Sequence, residues 1–117
     1  MRGVQTDLLA RLLGACQVRA RVISANIANQ NTPGYTRQVV QFEDLLRQNL
    51  ALGPEGAESL EPRILADLES PARPDGNNVS LELELNEMRE NRLLYETYAA
   101  ILQSHFALLG TAISEGR

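Results

Sequence analysis

The feature that most constrains this chain is a long apolar stripe near its C-terminus. Between Leu81 and Ile113, apolar residues recur at alternating spacings of four and three, interrupted only by Arg92. Ser80 is a suitable N-cap and acidic residues follow it, so the pattern predicts a helix over 80–114, about 50 Å long at ~1.5 Å per residue. We expect these stripe positions to form an assembly interface: Leu85, Met88, Arg92, Tyr95, Ala99, Leu102, Phe106, Leu109 and Ile113.

A helix of this length needs more apolar cover than a compact chain of 117 residues supplies. Leu93, Leu94 and Leu108 lie beside the stripe and widen its apolar face, which indicates neighbours on more than one side. The acids between 82 and 90, Glu84 among them, are expected to form a solvated face. Arg92 is expected to snorkel or to pair with an acid of a neighbouring helix and fix its register.

A second amphipathic helix of about six turns is predicted near the N-terminus. Thr6 or Asp7 is its expected N-cap. Cys16, the single cysteine, falls on the apolar stripe and is expected to be a small buried hydrophobe. The N-terminal positions that we assign to the assembly interface are Leu9, Leu13, Ala20, Ile23 and Ile27.

The first helix should end at the Asn-rich segment that precedes Pro33-Gly34. Proline followed by glycine suits the two central positions of a type II turn. An extended stretch over 35–42 and a short helix over 42–50 are expected to follow.

The middle of the chain, 48–78, contains four of the five prolines and is predicted to be a poorly ordered linker with one short strand near Ile64. The predicted fold is therefore all-α: two long amphipathic terminal helices form an antiparallel, coiled-coil-like pair joined by this linker. We divide the chain into 1–47, 48–78 and 79–117, with one structural domain formed by both ends.

Composition excludes several classes of function. The net charge is −4, and the eleven basic residues, all arginine, are scattered along the chain, so nucleic acid is not an expected partner. No run of ~18 to 20 apolar residues predicts insertion into a membrane, and we expect no cleaved signal peptide. The sequence suggests no catalytic residue, cofactor site or metal site. Asp75 and Asn77 fit a turn and helix cap better than a calcium loop.

Two short motifs resemble the flagellar axial proteins, the family of rod, hook and hook-associated subunits. The first runs from Ile23 to Tyr35 and resembles the family pattern S/A-x-N-I/L-A-N-x-x-T-P-G-Y; the second, D-G-N-x-V, leads into the C-terminal helix and is similar to that of proximal rod members. The matching residues are Ser24, Ala25, Asn26, Ile27, Ala28, Asn29, Asn31, Thr32, Pro33, Gly34, Tyr35, Asp75, Gly76, Asn77 and Val79.

The resemblance implies a structural subunit of the proximal rod, located in the periplasmic part of the basal body. Such subunits are exported by the flagellar type III apparatus without cleavage, and assemble with copies of themselves and other rod and basal-body proteins. Their terminal helices line a channel and transmit torque. The alternative that shares the long helices is a small adaptor or export chaperone that forms a soluble dimer.

Overall fold

The structure is a computed structural model that describes residues 2–53 and 60–116. Its elements are helix α1 (Arg2–Ala28), strand β1 (Gln38–Gln41), helix α2 (Glu43–Leu50), strand β2 (Arg63–Ala66) and helix α3 (Leu81–Glu115). The molecule is elongated, measuring 68 × 28 × 14 Å. None of the helices in the described part is both long and apolar enough to span a membrane.

Helix α1 begins at Arg2, so the predicted N-cap at Thr6 or Asp7 is wrong. A capping residue permits a helix to start at its position but does not prevent the helix from starting earlier. The residues before Thr6 contain no proline, so a further turn can form there. The other end agrees with the prediction: α1 ends at Ala28, and the Asn29 N–H still donates to the Ala25 carbonyl at 3.1 Å.

The predicted type II turn follows. The Tyr35 N–H donates to the Thr32 carbonyl at 3.2 Å, and Gly34 has a φ of 75°. A type II turn requires a positive φ at this third position, which glycine adopts without steric cost.

A two-stranded antiparallel sheet makes the strictly all-α prediction wrong. Strand β1 pairs with β2 in a register that places Val39 opposite Leu65 and Val40 opposite Ile64. Branched apolar residues favour such pairing, and the expected extended stretch and the short strand near Ile64 thus become partners. Because β1 also packs on α1, the sheet forms a small layer beside the helix pair.

The linker prediction is wrong for the part of 48–78 that the structure describes. Residues 48–50 complete α2, β2 forms the ladder, and the following loop is closed by Asp67, whose carboxylate accepts from the Glu69 N–H at 2.9 Å and from the Ser70 hydroxyl at 2.6 Å. Polar side chains here bond to the terminal segments, which offsets the entropy of ordering the loop. Residues 54–59 lie outside the described part.

The main apolar cluster lies where α2 packs on α1. Phe42 and Ala15 are fully buried there, Leu46 is nearly so, and Leu8 and Leu12 pack against them. Cys16 is buried beside this cluster, as expected, and burial raises the pKa of its thiol. The short helix predicted over 42–50 is confirmed as α2.

Helix α3 confirms the long C-terminal helix, with the Ser80 hydroxyl accepting from the Leu83 N–H at its start. It runs antiparallel to α1, because Glu84 near its start meets Asn26 near the end of α1, whereas Asn91 meets Cys16 further back. The pairing differs from the predicted one in its residues: in this half of α3 two polar residues, Glu84 and Asn91, form hydrogen bonds with α1. Glu84, assigned above to a solvated face, is fully buried.

Candidate functional site

The two sequence motifs, far apart along the chain, lie directly against each other in the structure. We call this contact, between 24–35 and 75–79, the motif junction. The Gly34 N–H donates to the Asp75 carbonyl at 2.8 Å. The turn after α1 is thereby joined to the loop that leads into α3.

Asn77 is the central residue of the motif junction. Its side-chain amide is fully buried and donates at 2.8 Å to two backbone carbonyls, those of Asn29 and Thr32. Its oxygen accepts from the Val79 N–H at 2.7 Å, while its backbone N–H donates to the Asp75 carboxylate. A buried amide with every group bonded fixes the relative position of the two segments, because any shift leaves polar groups unpaired.

Glycine is required on both sides of this contact. Gly76 has a φ of 86°, and a Cβ at this position would lie 3.3 Å from the Gly34 Cα. A side chain at Gly76 would therefore crowd the Gly34 backbone, whereas glycine at position 34 is favoured by the positive φ of its turn.

Asn26 holds the end of α1 to the start of β1. Its amide nitrogen donates to the Gln38 carbonyl at 2.8 Å, and its oxygen accepts from the Gln38 N–H at 3.0 Å. The same oxygen accepts from the Tyr35 hydroxyl. The side chain therefore pairs with β1 as a neighbouring strand would.

Asn29 closes the C-terminal turn of α1. Its amide donates to the Ala25 carbonyl at 2.8 Å and its oxygen accepts from the Thr32 hydroxyl at 3.1 Å. Of the remaining motif positions, Val79 is buried and Ala25 and Ile27 are half-buried. The exposed ones are Ser24, Ala28, Asn31, Pro33 and Asp75.

Sequence reasoning missed the ionic network beside the motif junction. The guanidinium of Arg37 pairs with three carboxylates: with Asp67 at 2.9 Å, with Glu87 at 2.7 Å and with Glu84. Glu84 also accepts from the Asn26 amide at 3.3 Å. The network connects the segment after α1, the loop after β2 and the first turns of α3.

Burial and hydrogen bonding set the charges of this network. Burial alone would lower the pKa of Arg37, but the hydrogen bonds to Glu84 and Asp67 raise it above the ordinary value. The Ser70 hydroxyl, with further help from the Ser70 N–H and Arg37 and against the effect of burial, holds the pKa of Asp67 well below its usual range. Arginine and the acid are therefore both ionised at neutral pH.

Asn78 and Arg37 are the residues whose roles the sequence could have suggested. Asn78 follows Asn77 in the second motif, and its oxygen accepts from the Arg37 N–H at 2.6 Å while its amide donates to the Asp67 carbonyl. Arg37 lies just after the Pro-Gly-Tyr turn. Asp67 and Glu84 carried no such signal, because acidic side chains are typical of solvated surface.

A second set of polar contacts lies two turns further along α3. The Asn91 amide donates to the Cys16 carbonyl at 2.8 Å, and its oxygen accepts from Arg19 at 3.2 Å. Arg19 also donates to both carboxylate oxygens of Glu43, at 2.8 and 2.6 Å. These contacts join α1, α2 and α3.

Known proteins match the segment that builds this site. The family model for "Flagella basal body rod protein" matches residues 13–36, which include the first motif. A flagellar basal body rod protein FlgB from Borrelia hermsii is 30% identical over 94% of this chain and 96% of its own length. The chain belongs to the FlgB family of flagellar basal body rod proteins.

Two other family members give similar coverage. The FlgB protein of Cereibacter sphaeroides is 31% identical over 93% of both chains, and that of Bacillus subtilis is 25% identical over 93% of this chain and 92% of its own. The similarity thus extends through both motifs and the long helices. It identifies a structural component of the basal body of the flagellum, the organelle of motility, and disfavours both an enzyme and the adaptor or chaperone considered above.

The structure divides the positions assigned to the assembly interface of this rod protein. In α1, Ile23 is buried, whereas Leu9, Leu13 and Ile27 are half-buried and Ala20 is exposed. In α3, three positions are half-buried: Ala99, Leu102 and Leu109. We call the exposed remainder the outward stripe: Leu85, Met88, Arg92, Tyr95, Phe106 and Ile113.

Proposed function

We propose that this FlgB-family chain is a subunit of the proximal rod and assembles through the outward stripe of α3. Neighbouring copies and other rod proteins cover the stripe, and the terminal helices of the assembled subunits line the export channel and transmit torque. The observation that carries the proposal is the exposure of large apolar side chains of the outward stripe, including Phe106 at 53% and Ile113 at 60%.

Such exposure is unusual for a chain that acts alone, since contiguous apolar surface on a soluble monomer is a typical mark of an interface. Burying one Leu-sized side chain contributes about 1.5 to 3 kcal/mol. A few stripe residues covered by each neighbour would therefore offset much of the entropy lost when subunits associate.

The motif junction and the Arg37 network provide the second requirement of this function, a rigid frame. Torque transmission needs a subunit whose two terminal helices do not slide past each other. Buried, fully bonded groups such as Asn77 and Glu84 resist sliding, because a shift would leave them without partners.

Export through the flagellar type III apparatus without cleavage and a periplasmic position within the basal body complete the proposal. Both follow the resemblance of the two motifs to the axial proteins.

The proposal is tested in a strain that lacks the gene. The intact gene should restore motility and complete rods. A Phe106→Glu variant should not, because a charge replaces an apolar group that a neighbour must cover.

The matched control is Ser104→Glu, which adds the same charge at an exposed position about 200° round α3 from Phe106. It should restore motility. Basal bodies isolated from each strain and examined by electron microscopy show whether rods are complete. Complete rods with Phe106→Glu would contradict an assembly role for the stripe.

A further inference from the structure

The first half of α3 presents two faces that differ in chemistry. The face that meets α1 and the Arg37 network contains Glu84, Glu87 and Asn91, whereas the outward stripe contains Leu85 and Met88. Leu85 and Met88 each follow a contact-face residue directly, and one position is about 100° of rotation in an α-helix. A rotation of α3 by roughly this angle would exchange the two faces.

Apolar burial alone favours the exchanged arrangement. It would remove Leu85 and Met88, now 39% and 37% exposed, from water and return the Glu84 carboxylate and the Asn91 amide to it. Arg92, which directly follows Asn91, would turn towards α1 as well, but its long side chain can keep the guanidinium in water. The observed arrangement therefore depends on interactions that the exchanged one lacks.

Those interactions are the polar contacts of the two buried residues. Glu84 meets Arg37 and the Asn26 amide, and Asn91 bonds to the Cys16 carbonyl and to Arg19. The two residues lie about two helical turns apart on one face of α3, so together they determine both its rotation and its register. Single buried polar residues are known to select one packing of a helix pair at a cost in stability.

We propose that Glu84 and Asn91 act as a rotational lock, which keeps the contact face of α3 against α1 and so leaves the outward stripe available to other subunits. The lock itself is a property of the single chain. Only the purpose of the available stripe rests on the proposed function.

Removal of the lock leaves its partners bonded. Without Glu84, Arg37 retains Asp67 and Glu87, and the Asn26 amide retains the Gln38 carbonyl. Without Asn91, Arg19 retains Glu43. A Glu84→Ala/Asn91→Ala variant thus tests the choice of face with little added cost from unpaired charge.

A Met88→Cys substitution places a thiol that reports the rotation, and the native Cys16, only 1% exposed, reports opening of the helix pair. The measurement is the number of maleimide adducts per chain, read by mass spectrometry at concentrations where sedimentation shows a monomer. Met88→Cys alone should acquire one adduct. In the Met88→Cys/Glu84→Ala/Asn91→Ala variant, the labelling rate of the introduced thiol should fall by about tenfold or more, because a covered thiol reacts only through local opening.

Two results would overturn the proposal. An unchanged labelling rate with one adduct per chain would show that the same face of α3 stays against α1 without the two side chains. Two adducts per chain would show that Glu84 and Asn91 hold the pair together and do not select between two packings.

A matched control and a milder variant accompany the test. Met88→Cys/Glu82→Ala/Glu90→Ala removes two exposed side chains of α3 and should label as Met88→Cys does. Met88→Cys/Asn91→Ala leaves all three acids on Arg37 and should show a smaller fall in rate. These measurements use the monomer, so they can contradict the rotational lock without contradicting rod assembly through the outward stripe. In the same way, complete rods with Phe106→Glu would contradict assembly through the stripe without contradicting the lock.

Discussion

At the scale of single residues, the side-chain amides of asparagines and one arginine form the hydrogen bonds and ion pairs that join the two ends of the chain. The Asn26 side chain forms a hydrogen bond with the first residue of β1, and the Asn77 side chain forms one with the turn after α1. Arg37 forms ion pairs with three acids from two later segments. Each of these groups is fully or largely buried, where an unpaired polar group is costly. Hydrogen bonding within the subunit therefore explains the motif positions Asn26, Asn29 and Asn77.

Asn77→Ala should destabilise the chain by about 2 to 4 kcal/mol, because the Val79 N–H loses its buried acceptor and the Asn29 and Thr32 carbonyls each lose one hydrogen bond. Urea unfolding followed by circular dichroism measures the loss. Asn86→Ala, at an exposed position of α3, is the control and should change stability by less than about 0.5 kcal/mol. Equal effects of the two substitutions would contradict the role of the junction.

The pH dependence of stability should reveal Asp67. Because its pKa is lower in the folded chain than the ~3.9 of an unfolded aspartate, its contribution is fully present above about pH 4 and is lost as the pH falls toward the folded value. The free energy of unfolding of the native chain should therefore fall more steeply from about pH 4 to about pH 2 than that of Asp67→Asn. Parallel curves would show that this carboxylate is not coupled to folding.

At the scale of elements, periodicity and turn chemistry predicted the two long helices, the short α2 and the turn at Pro33-Gly34, because these depend on local preferences. The pairing of the two expected extended segments into a sheet, and the ordered loop after β2, were missed because they depend on contacts between distant segments. The contacting face of α3 was also missed, because Glu84 and Asn91 face inward to bond with groups that are distant in the sequence, such as Arg37 and the Cys16 carbonyl.

One substitution made at two phenylalanines should separate folding from assembly. Phe42→Ala removes a fully buried ring from the cluster between α1 and α2 and should cost about 3 to 5 kcal/mol of stability. Phe106→Ala, at an exposed ring, should change the unfolding free energy of the monomer little but impair the motility of a complemented strain. A large loss of monomer stability with normal motility for Phe106→Ala would mean that the Phe106 ring packs within the subunit and not against a neighbour.

At the scale of the whole molecule, the shape itself indicates a part of a larger assembly. The Cα radius of gyration is 18.1 Å, whereas about 13 Å is typical of a compact chain of this length. The buried side chains cluster around the α1–α2 contact and the motif junction, and the second half of α3 has exposed apolar residues such as Phe106 and Ile113. One end of the subunit is thus held internally, and the other presents the surface that we propose neighbours cover.

The most direct test of that account is the reactivity of a thiol introduced by Phe106→Cys, compared between the free subunit and isolated basal bodies. The variant should react readily with maleimide when free, because the side chain at this position is half exposed. In basal bodies the thiol should be protected, since a neighbouring subunit covers it. Equal reactivity in the two states would contradict assembly through the outward stripe.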